Sequence, residues 1–224
     1  MRTISDQTIS TSLKVKKDSF TKNLELESFF FLIKGNDETY SNFRKKQIIE
    51  NIINTIVKAG LINLEISWSN NEKWLDFVSN IKIQYPHINL GSASIVNKKS
   101  IDDSLKIGLK YSMMKYWDRD LFNYAKDKKH LLIPGIKNLE QLHEAINCNC
   151  KIIKIYPIKS KDESINPLEY KDIAFIAAGG LSIQDIDIHK ELGYKAIVVG
   201  EKGIKEGKLD ETIIALLKKI NQYR

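Results

Sequence analysis

The chain has 224 residues, 42% hydrophobic and 28% charged, enough to bury one substantial core, and no apolar run approaches the roughly 18 residues of a membrane span. Its net charge of +7 and pI near 9.1 come from lysines scattered among acids, as in EKWLDF and KHLLIPGIKNLE. No basic stripe interleaved with aromatics marks a nucleic-acid footprint, so neither a nucleic acid nor a membrane is an expected partner.

The opening MRTISDQTISTS lacks the apolar core of a secretory signal, so a soluble, cytoplasmic protein is expected. Residues 1–27 are polar, with isolated apolar positions at Leu13, Phe20 and Leu24, and read as an N-terminal extension compatible with one helix. From residue 28 to 224 short β-branched or aromatic runs alternate with segments of helical period, the pattern of parallel βαβ units. Eight strands are predicted: 29–35, 62–68, 88–95, 109–117, 131–136, 151–158, 173–180 and 195–200. The clearest helix is NFRKKQIIENIINTIVKAG, where Ile48, Ile52, Ile53, Ile56 and Val57 make one apolar face and Gly60 stops the helix. A second, LDETIIALLKKINQY, closes the chain.

Eight strand–helix units fit a (β/α)8 barrel, although an open doubly wound sheet has nearly the same periodicity. The second strand favours the barrel. In INLEISW, alternation places Asn63, Glu65 and Ser67 on one polar face and Leu64, Ile66 and Trp68 on the other. A barrel turns the polar face to its axis and gathers chemistry at the carboxyl ends of its strands.

In the sixth strand, KIIKIYPI, Lys154 shares a face with Ile152 and Tyr156. Desolvation there depresses the amine's pKa, and a partly neutral amine attacks a ketone to form a Schiff base. A snorkelling or ion-paired lysine is the competing reading. Glu65 needs a partner inside an apolar strand, either in a structural ion pair or as the proton shuttle beside such an amine. Cys148 and Cys150, in NCNCK, match no redox or zinc framework and are expected to be free thiols. His87, His130, His143 and His189 show no ligand spacing, so neither metal nor cofactor is expected.

The motifs LEISW, GSAS, IPGI, KIIKIYP and AAGG occur in the order and near the spacing seen in the 2-keto-3-deoxy-6-phosphogluconate and 4-hydroxy-2-oxoglutarate aldolases. Over about residues 28–204 the chain resembles that family. The resemblance implies a (β/α)8 barrel, a class I aldolase that cleaves a 2-oxo acid to pyruvate and an aldehyde, and a homotrimer. It implies Lys154 as the Schiff-base lysine and Glu65 as the proton shuttle. Ser94, in place of a threonine, Tyr156, Gly179 and Gly180 fall on substrate-binding positions. The departures concern anion binding. Ser69 replaces an arginine that one branch carries after the second strand. Lys34 stands where another branch has its arginine, and supplies charge without the bidentate fork. MMK replaces SPG at the fourth strand, Ala178 replaces a threonine, and Glu201 falls where a serine helps bind phosphate. A carboxylate within about 5 Å of a phosphate is repulsive, so an unphosphorylated substrate is expected. The alternatives are a catalytically altered barrel that binds a small acid or a protein partner, and a phosphate-binding isomerase or synthase barrel.

Overall fold

The β-branched and aromatic runs form parallel strands because each buries both faces, one toward the barrel axis and one toward a ring of helices. The computed structural model describes residues 4–160 and 163–222. Helix α1 (Ile4–Leu26) precedes β1 (Phe29–Ile33), α2 (Asp37–Ser41), α3 (Phe43–Lys58), β2 (Asn63–Ser67), α4 (Glu72–Gln84), β3 (Asn89–Ile95), α5 (Lys98–Ile107) and β4 (Tyr111–Met114). Then come α6 (Arg119–Asp127), β5 (Leu131–Ile133), β6 (Gly135–Ile136), α7 (Leu139–Asn147), β7 (Ile152–Ile155), β8 (Ala174–Leu181), α8 (Ile186–Glu191), β9 (Ala196–Val199), a small β10–β11 hairpin (204–209) and α9 (Glu211–Asn221).

The order β5-β4-β3-β2-β1-β9-β8-β7-β6 has its two ends at β5 and β6, which are adjacent pieces of one strand interrupted at Pro134. Pro134 has no N–H for the ladder, though its carbonyl accepts from Lys154 N (2.9 Å). The fifth strand therefore pairs with β4 on one side of the proline and with β7 on the other. All eight predicted strands are present and the ring closes as a (β/α)8 barrel.

Two apolar layers follow from strand alternation. Leu64, Ile66, Ile153, Ile155, Ile197 and Val199 face the helices. Phe30, Tyr111, Met113, Ile133, Ile176 and Val198 fill the lumen together with Phe20 and Leu24 of α1, so the N-terminal helix closes one end of the barrel. Behind it the buried Glu27 carboxylate accepts from the amides of Ile62 and Asn63 (2.8–3.2 Å), anchoring the start of β2.

Helix α3 buries Ile52, Ile53, Ile56 and Val57 as predicted, but Ile48 is 45% exposed. The apolar stripe begins a turn later than the periodicity suggests, and Ile48 lies beside the exposed hairpin, near Gly207. Gly60 ends the helix at a φ of 99°, where a β-carbon would also strike the Asn221 side chain at 1.7 Å. Cys148 and Cys150 are free thiols.

Between the sheet and α5 runs a chain of buried hydroxyls. Ser92 Oγ pairs with Ser104 Oγ and with Ser112 Oγ, each at 2.7 Å, and Ser112 Oγ pairs with His130 Nε2 at 2.7 Å. His130 Nδ1 is buried with no hydrogen-bond partner. Burial, aided by the charge of Lys16, pushes this imidazole down to about 4. An unfolded histidine titrates near 6.5, so the folded state resists the proton. Its contribution is complete above about pH 6.5 and is lost as pH falls toward 4, to a depth of roughly 3 kcal/mol. Urea unfolding between about pH 7 and pH 4 should show this slope in the wild type and a shallower one in His130→Gln.

Candidate active site

Alternation along β2 turns Glu65 toward the lumen, and alternation along β7 turns Lys154 inward between Ile152 and Tyr156. Both are nearly sealed, Glu65 at 1% and Lys154 at 6% exposure. Burial pushes the Lys154 amine well below the ordinary lysine range and the Glu65 carboxyl well above the ordinary carboxylate range. Each group's charge opposes the other's shift, and the Tyr111 hydroxyl adds a smaller influence that favours the Glu65 anion. The two shifts bring an amine and a carboxyl of the same lumen closer together in proton affinity than either group is in water.

Lys154 Nζ donates to the Met114 carbonyl at 2.5 Å. Gly135 makes this approach possible, since a β-carbon there would meet the carbonyl oxygens of Met114 and Lys115 at 2.7 and 2.6 Å. Lys154 Nζ also lies 5.5 Å from the centroid of the Tyr156 ring, which is 6.0 Å from that of Tyr116. Aromatic rings so placed stabilise an ammonium or iminium by their electron-rich faces.

At the carboxyl ends of β1 to β4 an open cleft of about 410 Å³ is lined by Asn36, Asp37, Ser69, Ser94 and Lys115, among others. Ser94 has a φ of 61° and sits where the β3–β4 register breaks between Ser92 and Ile95, which re-aims its side chain. Ser69 donates to Asp37 Oδ1 at 2.7 Å. A smaller cavity of about 90 Å³ lies at the other end of the strands, and its lysines, Lys82 and Lys110, are committed to the carbonyls of Ile107 and Ile88.

Gly179 and Gly180 form a bulge in β8, with φ values of 120° and 71° and a register break between Ala178 and Leu181. A β-carbon at Gly179 would lie 3.1 Å from the backbone of Pro157 and Ile158, so glycine brings this bulge against the end of β7. Lys34 follows the carboxyl end of β1, at the rim of the barrel. It pairs with Glu201 at 3.2 Å, and both side chains are exposed. The Met114 carbonyl, the Asp37–Ser69 pair and Tyr111 escape a reading of motifs. Tyr111 alone left a signal, an aromatic at a lumen-facing position of a strand.

The family model of KDPG and KHG aldolase matches residues 41–218. The chain belongs to the KDPG and KHG aldolase family. A 2-dehydro-3-deoxy-phosphogluconate aldolase of Pseudoalteromonas atlantica is 24% identical over 131 residues, 57% of this chain and 60% of that relative. The match thus spans less than two thirds of the relative's length. Among solved structures, the 2-keto-3-deoxy-6-phosphogluconate aldolase of Zymomonas mobilis ZM4, with 3-phosphoglycerate, aligns at a TM-score of 0.69 and 17% identity, covering 91% of this chain and 96% of that one. The KDPG aldolase of Legionella pneumophila, with pyruvate captured as a covalent carbinolamine, aligns at 0.69 and 12%, covering 87% and 93%. At these identities the structural likeness speaks for the aldolase fold. Among the described residues no helix is long and apolar enough to cross a membrane.

Proposed function

We propose that this KDPG and KHG aldolase family member is a class I aldolase that splits a 2-oxo acid into pyruvate and an aldehyde. The observation that carries the reading is the burial of a lysine and a glutamate in the same lumen, within electrostatic reach of one another, on the strands where the family motifs fall. Neutral Lys154 attacks the C2 carbonyl to form a carbinolamine. Glu65 protonates the departing hydroxyl, and water leaves an iminium. Glu65, now a carboxylate, takes the proton of the C4 hydroxyl. The C3–C4 bond breaks, its electrons pass to the iminium nitrogen, and the aldehyde departs. The remaining enamine is protonated at C3, and hydrolysis returns pyruvate and the free amine. Every electron pair is accommodated by the substrate and Lys154.

In this reading Ser94 and Tyr156 line the reacting end of the substrate, Gly179 and Gly180 offer backbone N–H groups to an anion, and Lys34 contributes positive charge at the rim. A 4-hydroxy-2-oxoglutarate-like or 2-keto-3-deoxy-6-phosphogluconate-like substrate fits the chemistry. The family resemblance adds a homotrimer, which equilibrium sedimentation tests. Incubation with pyruvate and borohydride followed by mass spectrometry tests the central claim. Absence of an adduct with pyruvate and with longer 2-oxo acids would favour a barrel that binds a small acid or a protein partner.

Substrate charge follows from the Lys34–Glu201 pair. At the position that the family resemblance gives to phosphate, Glu201 would repel that group, and it also engages the Lys34 ammonium. Unphosphorylated 2-oxo acids should be cleaved better than phosphorylated ones. Glu201→Ser frees Lys34 and restores a hydroxyl donor, so kcat/KM for a 6-phosphorylated substrate should rise about tenfold while the unphosphorylated one barely responds. An equal response of both substrates would mean that Glu201 does not face the phosphate end.

A further inference from the structure

Glu65, Gly91 and Tyr111 stand opposite one another across three adjacent strands, Glu65 with Gly91 and Gly91 with Tyr111. All three positions face the lumen. A β-carbon placed on Gly91 would lie 2.3 Å from Tyr111 Cζ, so the phenol lies across β3 with its hydroxyl-bearing carbon directly over the glycine. Strands are spaced by about 4.8 Å. A ring that starts on β4 and already covers β3 therefore carries its hydroxyl onward toward β2, where Glu65 stands.

Two polar atoms there lack a partner. Tyr111 Oη and Glu65 Oε1 are both buried, and neither has a hydrogen-bond partner of full geometry. Buried polar groups are paired in most native structures, and an exception asks for an explanation. Here each orphan lies within the influence of the other. The ring is held from the closed end of the barrel, with Phe20 of α1 edge-on at 4.7 Å and Phe30 at 5.9 Å. Among described neighbours the charged groups acting on this pair are Lys154 from β7 and Glu27 from the turn between α1 and β1. Glu27 is already satisfied by backbone amides. Leu32, opposite Glu65 on β1, brings no charge.

We propose that Tyr111 is the positioning residue of Glu65: its hydroxyl reaches across Gly91 to hold the carboxylate in the orientation from which it serves substrate on Lys154. The phenol donates to Glu65 when the carboxyl is ionised and accepts from it when it is protonated, so the carboxyl keeps one orientation through both halves of its proton cycle. Burial keeps the phenol protonated and able to donate. The proposal rests on the assignment of Glu65 and Lys154 given above, and extends it to a residue on a different strand.

Tyr111→Phe removes the hydroxyl and leaves the ring against Phe20, Phe30 and Gly91. Its kcat should fall about tenfold with KM within about twofold and the pyruvate adduct retained. Loss of a donor to the anion raises the Glu65 pKa, so the acidic limb of kcat/KM should move upward by about half to one pH unit. Tyr194→Phe deletes another buried, unpartnered hydroxyl and should leave rate and profile unchanged. Infrared titration of the Glu65 carboxyl, its band identified by loss in Glu65→Gln, reads the contact without turnover. The midpoint should rise in Tyr111→Phe and fall when 3,5-difluorotyrosine, a stronger donor of similar shape, is incorporated at 111. Infrared midpoints that stay in place in both substituted proteins overturn the proposal, as does a rate loss matched by Tyr194→Phe. If the wild type forms no adduct, the aldolase reading fails while the infrared titration still decides the Tyr111 contact.

Discussion

Lys154→Met is expected to remove the borohydride-trapped pyruvate adduct and to lower kcat/KM for retro-aldol cleavage by at least about 10³-fold, roughly 4 kcal/mol of barrier. Methionine fills the same space, so the lumen stays packed while the nucleophile disappears. The wild-type effect depends on burial. Desolvation pushes the Lys154 amine down to about 8, whereas an ordinary lysine near 10.4 is neutral at pH 8 in only roughly one molecule in 250. Trapping in the wild type should therefore rise with pH and level off well below the range of exposed lysines. Lys115 is the internal control. It is half-buried at the end of β4 and lines the cleft, with its ammonium 5.2 Å from the Tyr116 ring. An adduct that maps to Lys115 and survives in Lys154→Met would move the Schiff base to β4 and overturn the assignment.

The second large effect is expected at Glu65. Glu65→Gln keeps shape and removes the exchangeable proton, so kcat should fall by about 10²- to 10⁴-fold. The same change acts oppositely on the lysine. The Glu65 charge raises the Lys154 pKa, so without it the amine loses its proton at still lower pH. The pH midpoint for adduct formation should thus move downward while turnover collapses. Single-turnover trapping and steady-state cleavage, measured together across pH, separate the two outcomes. A structural ion pair would behave differently: Glu65→Gln would lower the melting temperature and leave the ratio of trapping to cleavage unaltered.

The parts of this fold legible in the sequence are those governed by periodicity. Strand alternation alone assigns Glu65 and Lys154 to inward faces, because a period of two leaves no freedom once the opposite face is apolar. Counting strands succeeds even at LLIPGI, where Pro134 splits one strand into β5 and β6. Relations between non-adjacent residues are not legible in this way. Motifs do not reveal that Tyr111 crosses Gly91, that the Met114 carbonyl receives the Lys154 amine, or that Lys34 and Glu201 meet at the rim from the first and last strands. Each depends on register across strands distant in the chain. Ile48 shows the limit of helical periodicity, which defines a stripe but not where along the helix the neighbours end.

Closure of the ring gives the paired residues a use as a reporter of assembly. Glu65 and Lys154 lie on different arcs of the barrel, joined on one side through β1 and β9 and on the other across the interruption at Pro134. Neither arc alone encloses the lysine, and an unenclosed lysine keeps its proton at neutral pH. On the proposed chemistry, covalent capture of pyruvate at Lys154 near neutrality should accordingly be a property of the closed cylinder as a whole. During refolding it should mark the moment at which the first and last strands have met, information that helix content cannot supply.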